Sequence, residues 1–198
     1  MFLEAITGPM FSGKSEEVAR RLRRAAYADK KIVLMKPGID NRDQRNIFDI
    51  VKEDKKLSTY EFLNMASINS PRDWSYILNP PRFDILAIDE VQLLEKRLGK
   101  LLLKSLTKTI QTGCRLDITV IVAGLDMDAW RKPFGIMPDL MAMADNILKL
   151  TAICKHCKGQ NGLAIFTQKK SIGSGKQVEV GNEELYEARC RACHTIPE

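Results

Sequence analysis

Residues 8–15 read GPMFSGKS and fit the pattern G-x-x-x-x-G-K-[ST]. In this pattern Gly8 and Gly13 let the backbone wrap so that its N–H groups face phosphate oxygens, with Pro9, Met10, Phe11 and Ser12 spanning the turn. Lys14 is placed to reach β and γ phosphates, and the Ser15 hydroxyl to ligate Mg²⁺. A helix beginning here adds its positive end. A chance match in a chain of this length has odds of roughly one in a hundred. A strand-like FLEAIT precedes the loop and an amphipathic pattern follows it, a context that favours a nucleotide loop over a plain glycine turn.

A second constellation closes the apolar run DILAIDE, residues 84–90. Successive side chains of a strand point to opposite faces, so Asp89 and Glu90 cannot share one task. Asp89 follows the run as a carboxylate that helps to hold Mg²⁺, usually through water. Glu90 then projects toward a second substrate, where a carboxylate in reach of an attacking hydroxyl takes its proton. Adjacent acids of this kind also serve ATPases, in which the second acid activates water. The pair indicates phosphoryl transfer without naming the acceptor.

The third constellation is CKHC and CRAC, which place Cys154, Cys157, Cys190 and Cys193 as two C-x-x-C pairs. Each pair reads as a knuckle supplying two thiolates to a tetrahedral Zn²⁺. Disulfides and simple buried thiols are the other readings, and a cytosolic setting works against disulfides. His156 and His194 lie beside the pairs as substitute ligands or as exposed histidines, and the four available thiolates favour the latter. Cys114 reads as a small core residue. Between the knuckles, Gly173, Gly175, Gly181 and Tyr186 suit either a flexible cover over a ligand or an ordinary long hairpin.

These groups need a scaffold. The chain has 198 residues, 44% of them hydrophobic, enough for one sizeable core and a small appendage. Buried strands are expected at Ile32–Met35, Asp84–Asp89 and Ile118–Gly124, with a weaker one at Phe2–Thr7. Val18, Leu22 and Ala26 mark one helix, and Leu94, Leu98, Leu101, Leu102 and Leu106 another. Strand and helix in alternation predict an α/β fold with a parallel sheet covered on both faces. Residues 38–81 resist assignment beyond a helix-like stretch near Tyr60–Ala66. From Thr151 the composition shifts to Gly, Lys and Cys with short alternating pieces, LAIFTQK and QVEV, which divides the chain into domains at 1–150 and 151–198.

The net charge of +6 suits an anionic ligand, whether nucleotide, nucleic acid or acidic partner. RRLRR at Arg20–Arg24, with Glu16 and Glu17 four residues ahead of Arg20 and Arg21, reads as a salt-paired solvent face. The start of the chain carries Glu4 and fits neither a signal nor a transit peptide, and no run approaches the roughly 20 apolar residues of a membrane helix. A cytoplasmic location without membrane association is the expectation.

GPMFSGKS followed by RRLRR, IDEVQ, GLDMD, RKPFG, KLTAIC, VEVG and CRAC, in that order, resembles the thymidine kinases of the cytosolic, zinc-containing type. The resemblance implies a RecA-like P-loop domain with a parallel sheet and a C-terminal zinc-ribbon domain whose long lasso closes over a nucleoside. It implies ATP as phosphoryl donor, Mg²⁺, structural Zn²⁺ and a homotetramer, with no nucleic acid partner. Asp40, Asn41 and Arg42 match a segment near the phosphates, Asp89–Gln92 the acid segment, and Glu90 the family's proton acceptor. Leu125, Ala129, Trp130 and Phe134 fall on the segment lining the nucleoside pocket. Val178, Glu179, Val180 and Gly181 match lasso backbone on the base, and Tyr186 a lasso tyrosine.

Two departures stand out. Leu93-Leu94 replace a usual pair of phenylalanines, and Ala129 replaces a common aromatic, with Trp130 next to it as an aromatic able to take the space. Lost stacking area bears on how strictly the base is selected. The competing classes are a nucleic-acid-stimulated P-loop ATPase with a zinc ribbon, which would use the same loop, acids and charge, and a nucleotide-binding regulator without turnover.

Overall fold

The computed structural model describes residues 1–39, 46–62, 64–68, 83–111, 117–170 and 184–197. The elements run β1 (Phe2–Thr7), α1 (Lys14–Tyr27), β2 (Ile32–Pro37), α2 (Ile47–Glu53), β3 (Asn64–Ile68), β4 (Ile85–Ile88), α3 (Lys96–Gln111), β5 (Thr119–Gly124), α4 (Met137–Met143) and β6 (Asn146–Lys149). Their strands form one sheet in the order β3-β2-β4-β5-β1-β6, every neighbouring pair parallel. The four expected strands are present within two residues of their expected ends.

Alternation along the strands divides the core in two. Leu86, Ile88, Val120 and Val122 face one side, where α3 delivers Leu98, Leu102 and Leu106 at helical spacing. Ala87, Ile121 and Ala123 face the other, covered by Val18, Ala19, Leu22 and Ala26 of α1. Burial on both faces is what a parallel sheet requires, and it explains why these strands read as continuous apolar runs.

The polar face of α1 is salt-paired, in a pattern that differs from simple i,i+4 spacing. Glu17 takes both Arg20 and Arg21, while Arg21 also grips Glu4 of β1 at 2.6 Å and Arg23 reaches Asp54 beyond α2. The Arg21 guanidinium holds the Glu4 carboxyl below its ordinary value.

Two strands of the six-stranded sheet escape a reading of the sequence. The helix-like stretch near Tyr60–Ala66 instead leads into β3, which pairs with β2 from Val33↔Asn64 to Pro37↔Ile68. Met and Ala are good helix formers, and the backbone ladder on β2 overrides that preference. The four-residue β6 joins the outer side of β1 and is mostly exposed, so it lacks an apolar signature.

After Leu150, Ala152 and Ala164 form a bridge, and β7 (Phe166–Lys169) pairs antiparallel with β8 (Tyr186–Arg189). β7 is the second half of the predicted LAIFTQK piece. Among the described residues the apolar cluster of this C-terminal module is small: Ala152, Cys154, Ala164, Ala188 and Cys190. Asp40, Asn41, Arg42, Cys114, the QVEV piece and Val178–Gly181 lie outside the described residues. Among the described residues no helix is long and apolar enough to cross a membrane.

Candidate active site

Because the sheet is parallel, β1, β4 and β5 end on one edge. The glycine loop, the acid pair and the segment from Leu125 to Phe134 emerge there together. In open parallel sheets this edge is where ligands bind.

The loop needs its glycines. Gly8 adopts φ 147°, and a Cβ there would sit 2.5 Å from the Leu150 carbonyl oxygen; Gly13 adopts φ 80° on the threshold of α1. Ser12 Oγ and Lys14 Nζ both donate to the Pro9 carbonyl at 2.8 Å, which draws the buried lysine across the inside of the turn. The C-terminal module braces the loop from outside, where Met10 N donates to Thr167 Oγ1 at 3.0 Å.

Ser15 Oγ donates to Asp89 Oδ2 at 2.6 Å, joining the loop to the acid pair. Asp89 is buried, and desolvation with the Glu90 charge beside it pushes its carboxyl up to about 7 against the opposing pull of Ser15 and Lys14. Glu90 takes a left-handed backbone, φ 52° and ψ 37°, which for a non-glycine residue costs on the order of 1 kcal/mol or more. That turn separates the two carboxylates. Glu90 Oε2 accepts from Gln92 Nε2 at 2.6 Å, and Gln92 Oε1 accepts from Leu125 N at 3.1 Å.

Gln92 is thus the link between the acid segment and the end of β5, and it is buried where two glycines make room. A Cβ on Gly124 would lie 2.3 Å from Gln92 Oε1, and one on Gly135 would lie 2.5 Å from the Gln92 carbonyl oxygen. If Glu90 is the proton acceptor and residues 8–15 the ATP loop that the resemblance implies, Gly124→Ala is expected to fold and bind ATP but to lose on the order of 10- to 100-fold in turnover, because displaced Gln92 no longer orients Glu90. Steady-state kinetics beside a nucleotide-binding titration checks this, and unchanged turnover would remove Gln92 from the positioning role.

Past β5, Asp126 and Asp128 organise the chain, a role that sequence reasoning missed although the alternating acids of GLDMD were visible. Asp128 Oδ1 accepts from Trp130 N and Lys132 N, both at 2.9 Å, closing a tight turn. Asp126 accepts from Thr7 Oγ1 at 3.0 Å and Lys149 Nζ at 2.6 Å, tying the ends of β1, β5 and β6 together. Phe134 N returns to the Asp126 carbonyl at 3.0 Å.

A cavity of about 810 Å³ opens beside this arrangement, lined in part by Gly38, Gln92, Leu93, Leu94 and Phe134. Leu125 and Ala129 are buried nearby in sequence. Trp130 does not line that cavity: its ring lies 5.8 Å from Lys169 Nζ. Tyr186 faces the phosphate loop, sharing a smaller cavity of about 130 Å³ with Phe11, Lys155 and Lys170.

The four cysteines converge. Their sulfurs all lie within 4.8 Å of one another, with Cys157 and Cys190 at 3.8 Å, and none is in a disulfide. Zn–S bonds of about 2.3 Å in a tetrahedron set sulfurs about 3.8 Å apart, so the donor set fits a tetrahedral thiophilic ion. Desolvation opposes charge on Cys154, yet backbone N–H groups of Cys157, Cys190 and His156 outweigh it and hold the thiol at about 6. Cys193 is pushed up to about 12 by desolvation and by the crowded sulfurs, a repulsion that a cation relieves. His156 is exposed as expected. His194 is not: it is buried at 5% exposure, packed 5.0 Å from the Phe166 ring, and burial holds its imidazole below the ordinary histidine value.

A glycine loop, a hydroxyl and an acid pair, with Asp89 buried and Glu90 half-buried, gather at the carboxyl edge of a parallel sheet, an arrangement shared by enzymes that transfer or hydrolyse phosphoryl groups. The chain belongs to the thymidine kinase family, whose family model matches residues 1–194. It is 37% identical over 195 residues to the thymidine kinase of Mesomycoplasma hyopneumoniae (strain 7448), covering 98% of this chain and 95% of that one. Against the thymidine kinase of Mycoplasma mobile the identity is 37% over 194 residues, covering 97% and 86%. The nucleic-acid-stimulated ATPase is not favoured by these matches.

Proposed function

We propose that the chain transfers the γ-phosphoryl group of ATP to the 5′-hydroxyl of thymidine or deoxyuridine, giving the nucleoside monophosphate and ADP. The observation that carries this reading is the chain of bonds Ser15–Asp89 and Glu90–Gln92–Leu125. It holds one carboxylate against the phosphate loop and turns the other toward Gln92, at the wall of the large cavity.

In this reading residues 8–15 hold the ATP phosphates, with Asp40, Asn41 and Arg42 close by. Ser15 and Asp89 supply hard oxygen donors that suit Mg²⁺, which when bound neutralises charge developing on the phosphoryl oxygens. Glu90 accepts the 5′-hydroxyl proton as the oxygen attacks in line. Leu125, Ala129 and Phe134 bound the nucleoside, and Val178–Gly181 with Tyr186 cover it and exclude water. With Leu93, Leu94 and Ala129 in place of aromatics, discrimination among bases is weaker than three stacked rings would provide.

Mass identification of products after incubation with ATP, Mg²⁺ and a mixture of deoxynucleosides tests the reading. Thymidine monophosphate or deoxyuridine monophosphate is the expected product. ADP formed only with polynucleotide would replace the reading by the ATPase, and binding without product would replace it by the regulator. The homotetramer and cytoplasmic setting belong to the same reading.

We also take residues 151–198 as a separate domain that Zn²⁺ on Cys154, Cys157, Cys190 and Cys193 holds together. Among the described residues its apolar cluster is three alanines and two of those cysteines, whereas both large cores belong to residues 1–150. Chelation is therefore expected to strip hydrogen-exchange protection from β7 and β8 while β1, β2, β4 and β5 keep theirs. A single cooperative loss of the whole fold would contradict the division.

A further inference from the structure

Arg131 reaches from the hairpin between Asp126 and Phe134 to the C-terminal module, next to the contact of the Trp130 ring with Lys169. Arg131 adopts φ 61°, a left-handed backbone that a long side chain rarely takes. Its guanidinium crosses to the module: Nε donates to His194 Nδ1 at 3.1 Å and Nη2 to the His194 carbonyl at 2.9 Å. The same group stacks 4.6 Å from the centre of the buried Phe166 ring, which Arg191 also flanks at 5.3 Å.

His194 is itself held from behind. Its backbone N donates to the Cys190 carbonyl at 3.1 Å, and its Nε2 lies 3.3 Å from the Thr167 carbonyl. Arg131 has no acceptor, so His194 Nδ1 presents its lone pair and the ring proton sits on Nε2, directed at Thr167. Thr167 is the residue whose hydroxyl accepts from Met10 N of the phosphate loop. Arg131 N in turn donates to the Asp128 carbonyl at 3.1 Å, so the strained residue closes the turn that carries Ala129 and returns to Phe134.

We propose that Arg131 and His194 form a latch that sets the pose of the 125–134 hairpin, making Arg131 a positioning residue for the nucleoside. The backbone strain at Arg131 persists because two hydrogen bonds and a cation–π stack hold the side chain across the junction. Without the latch the hairpin relaxes, and Leu125, Ala129 and Phe134 lose their fixed placement. The phosphate loop keeps its own bond to Thr167, so ATP affinity is unaffected.

This inference rests on the proposed thymidine kinase reading, and the test separates the two. Thymidine kinetics, ATP binding and thermal midpoint are measured for the native chain, Arg131→Ala, His194→Ala, the double variant and His194→Gln. The thymidine KM is expected to rise about tenfold in each alanine variant, the loss of roughly one charge-assisted hydrogen bond, with kcat and the ATP Kd little changed. The double variant is expected to match the single ones rather than their product. His194→Gln, whose amide can accept from Arg131 and donate to Thr167, restores the native KM. An unaltered thymidine KM in both alanine variants, or effects that multiply in the double variant, overturns the latch. Equal losses in thymidine and ATP affinity together with a lowered thermal midpoint also overturn it, since they mark a merely structural role. A native chain that phosphorylates no nucleoside defeats the functional reading instead.

Discussion

Glu90→Gln slows turnover on the order of 10²-fold or more while ATP binding survives, the size of effect typical of a lost general base. The substitution is conservative in every respect but one. A glutamine oxygen still accepts from Gln92 Nε2, as Glu90 Oε2 does at 2.6 Å, so the route to Leu125 and the cavity wall stays in place. The left-handed turn at φ 52° is a property of the backbone in this segment and is unaffected by loss of charge. What disappears is the capacity to accept the 5′-hydroxyl proton. Single-turnover measurement with saturating ATP and thymidine isolates the chemical step from product release. A variant with near-native turnover would sink the assignment of Glu90.

Asp89→Asn is the second large effect, and it has opposite consequences for stability and function. Burial raises the Asp89 carboxyl from its ordinary value to about 7 in the folded chain. The folded state therefore keeps a proton that the unfolded state has released. Stability is undiminished below the unfolded value near pH 4, falls as the pH climbs through the window between, and levels off above about 7. Asparagine has no charge to desolvate and still offers Ser15 an acceptor, although it gives up the acceptor that Asp89 Oδ1 presents to Glu90 N at 3.0 Å. The variant should thus be more stable than the native chain at pH 8, and the difference should shrink as the pH falls toward 4.5. Denaturant midpoints at the two pH values check this. Equal stability at pH 8 would mean that the buried carboxyl ionises freely. The same variant should lose Mg²⁺-dependent ATP turnover, so the cost of burying Asp89 is tied to its task.

Much of the site was legible because its signals are local. The loop from Gly8 to Ser15 depends on residues that occupy consecutive places on one turn, and their conformational needs are written in their types. Asp89 and Glu90 end an apolar run, and the run alone places them at a strand end. Gln92 was assigned to the acid segment only through the resemblance. Its bond to Leu125 depends on β4 and β5 being neighbours, which no spacing within IDEVQ records. Trp130 looked available to fill the space left at Ala129, and the structure seats it beside Lys169 instead, because the turn around Asp128 aims it toward β7. His194 looked like a solvent-exposed neighbour of a metal ligand. It is buried because Phe166 and Arg131, far from it in sequence, close over it.

The sequence by itself determined the alternation of strand and helix, the phosphate-loop pattern, the acid pair and the two cysteine pairs. Each follows from side-chain periodicity, from the φ a turn requires, or from ligand spacing within four residues. The tertiary structure decided the rest. β3 forms where local preference leans to helix, because β2 offers it a ladder. Asp126 gathers three strand ends, Gly124 and Gly135 leave room for Gln92, and Arg131 reaches His194 across the junction with the C-terminal module. These arrangements rest on contacts between residues far apart in the chain, where the free energy comes from pairing buried polar groups that water no longer reaches.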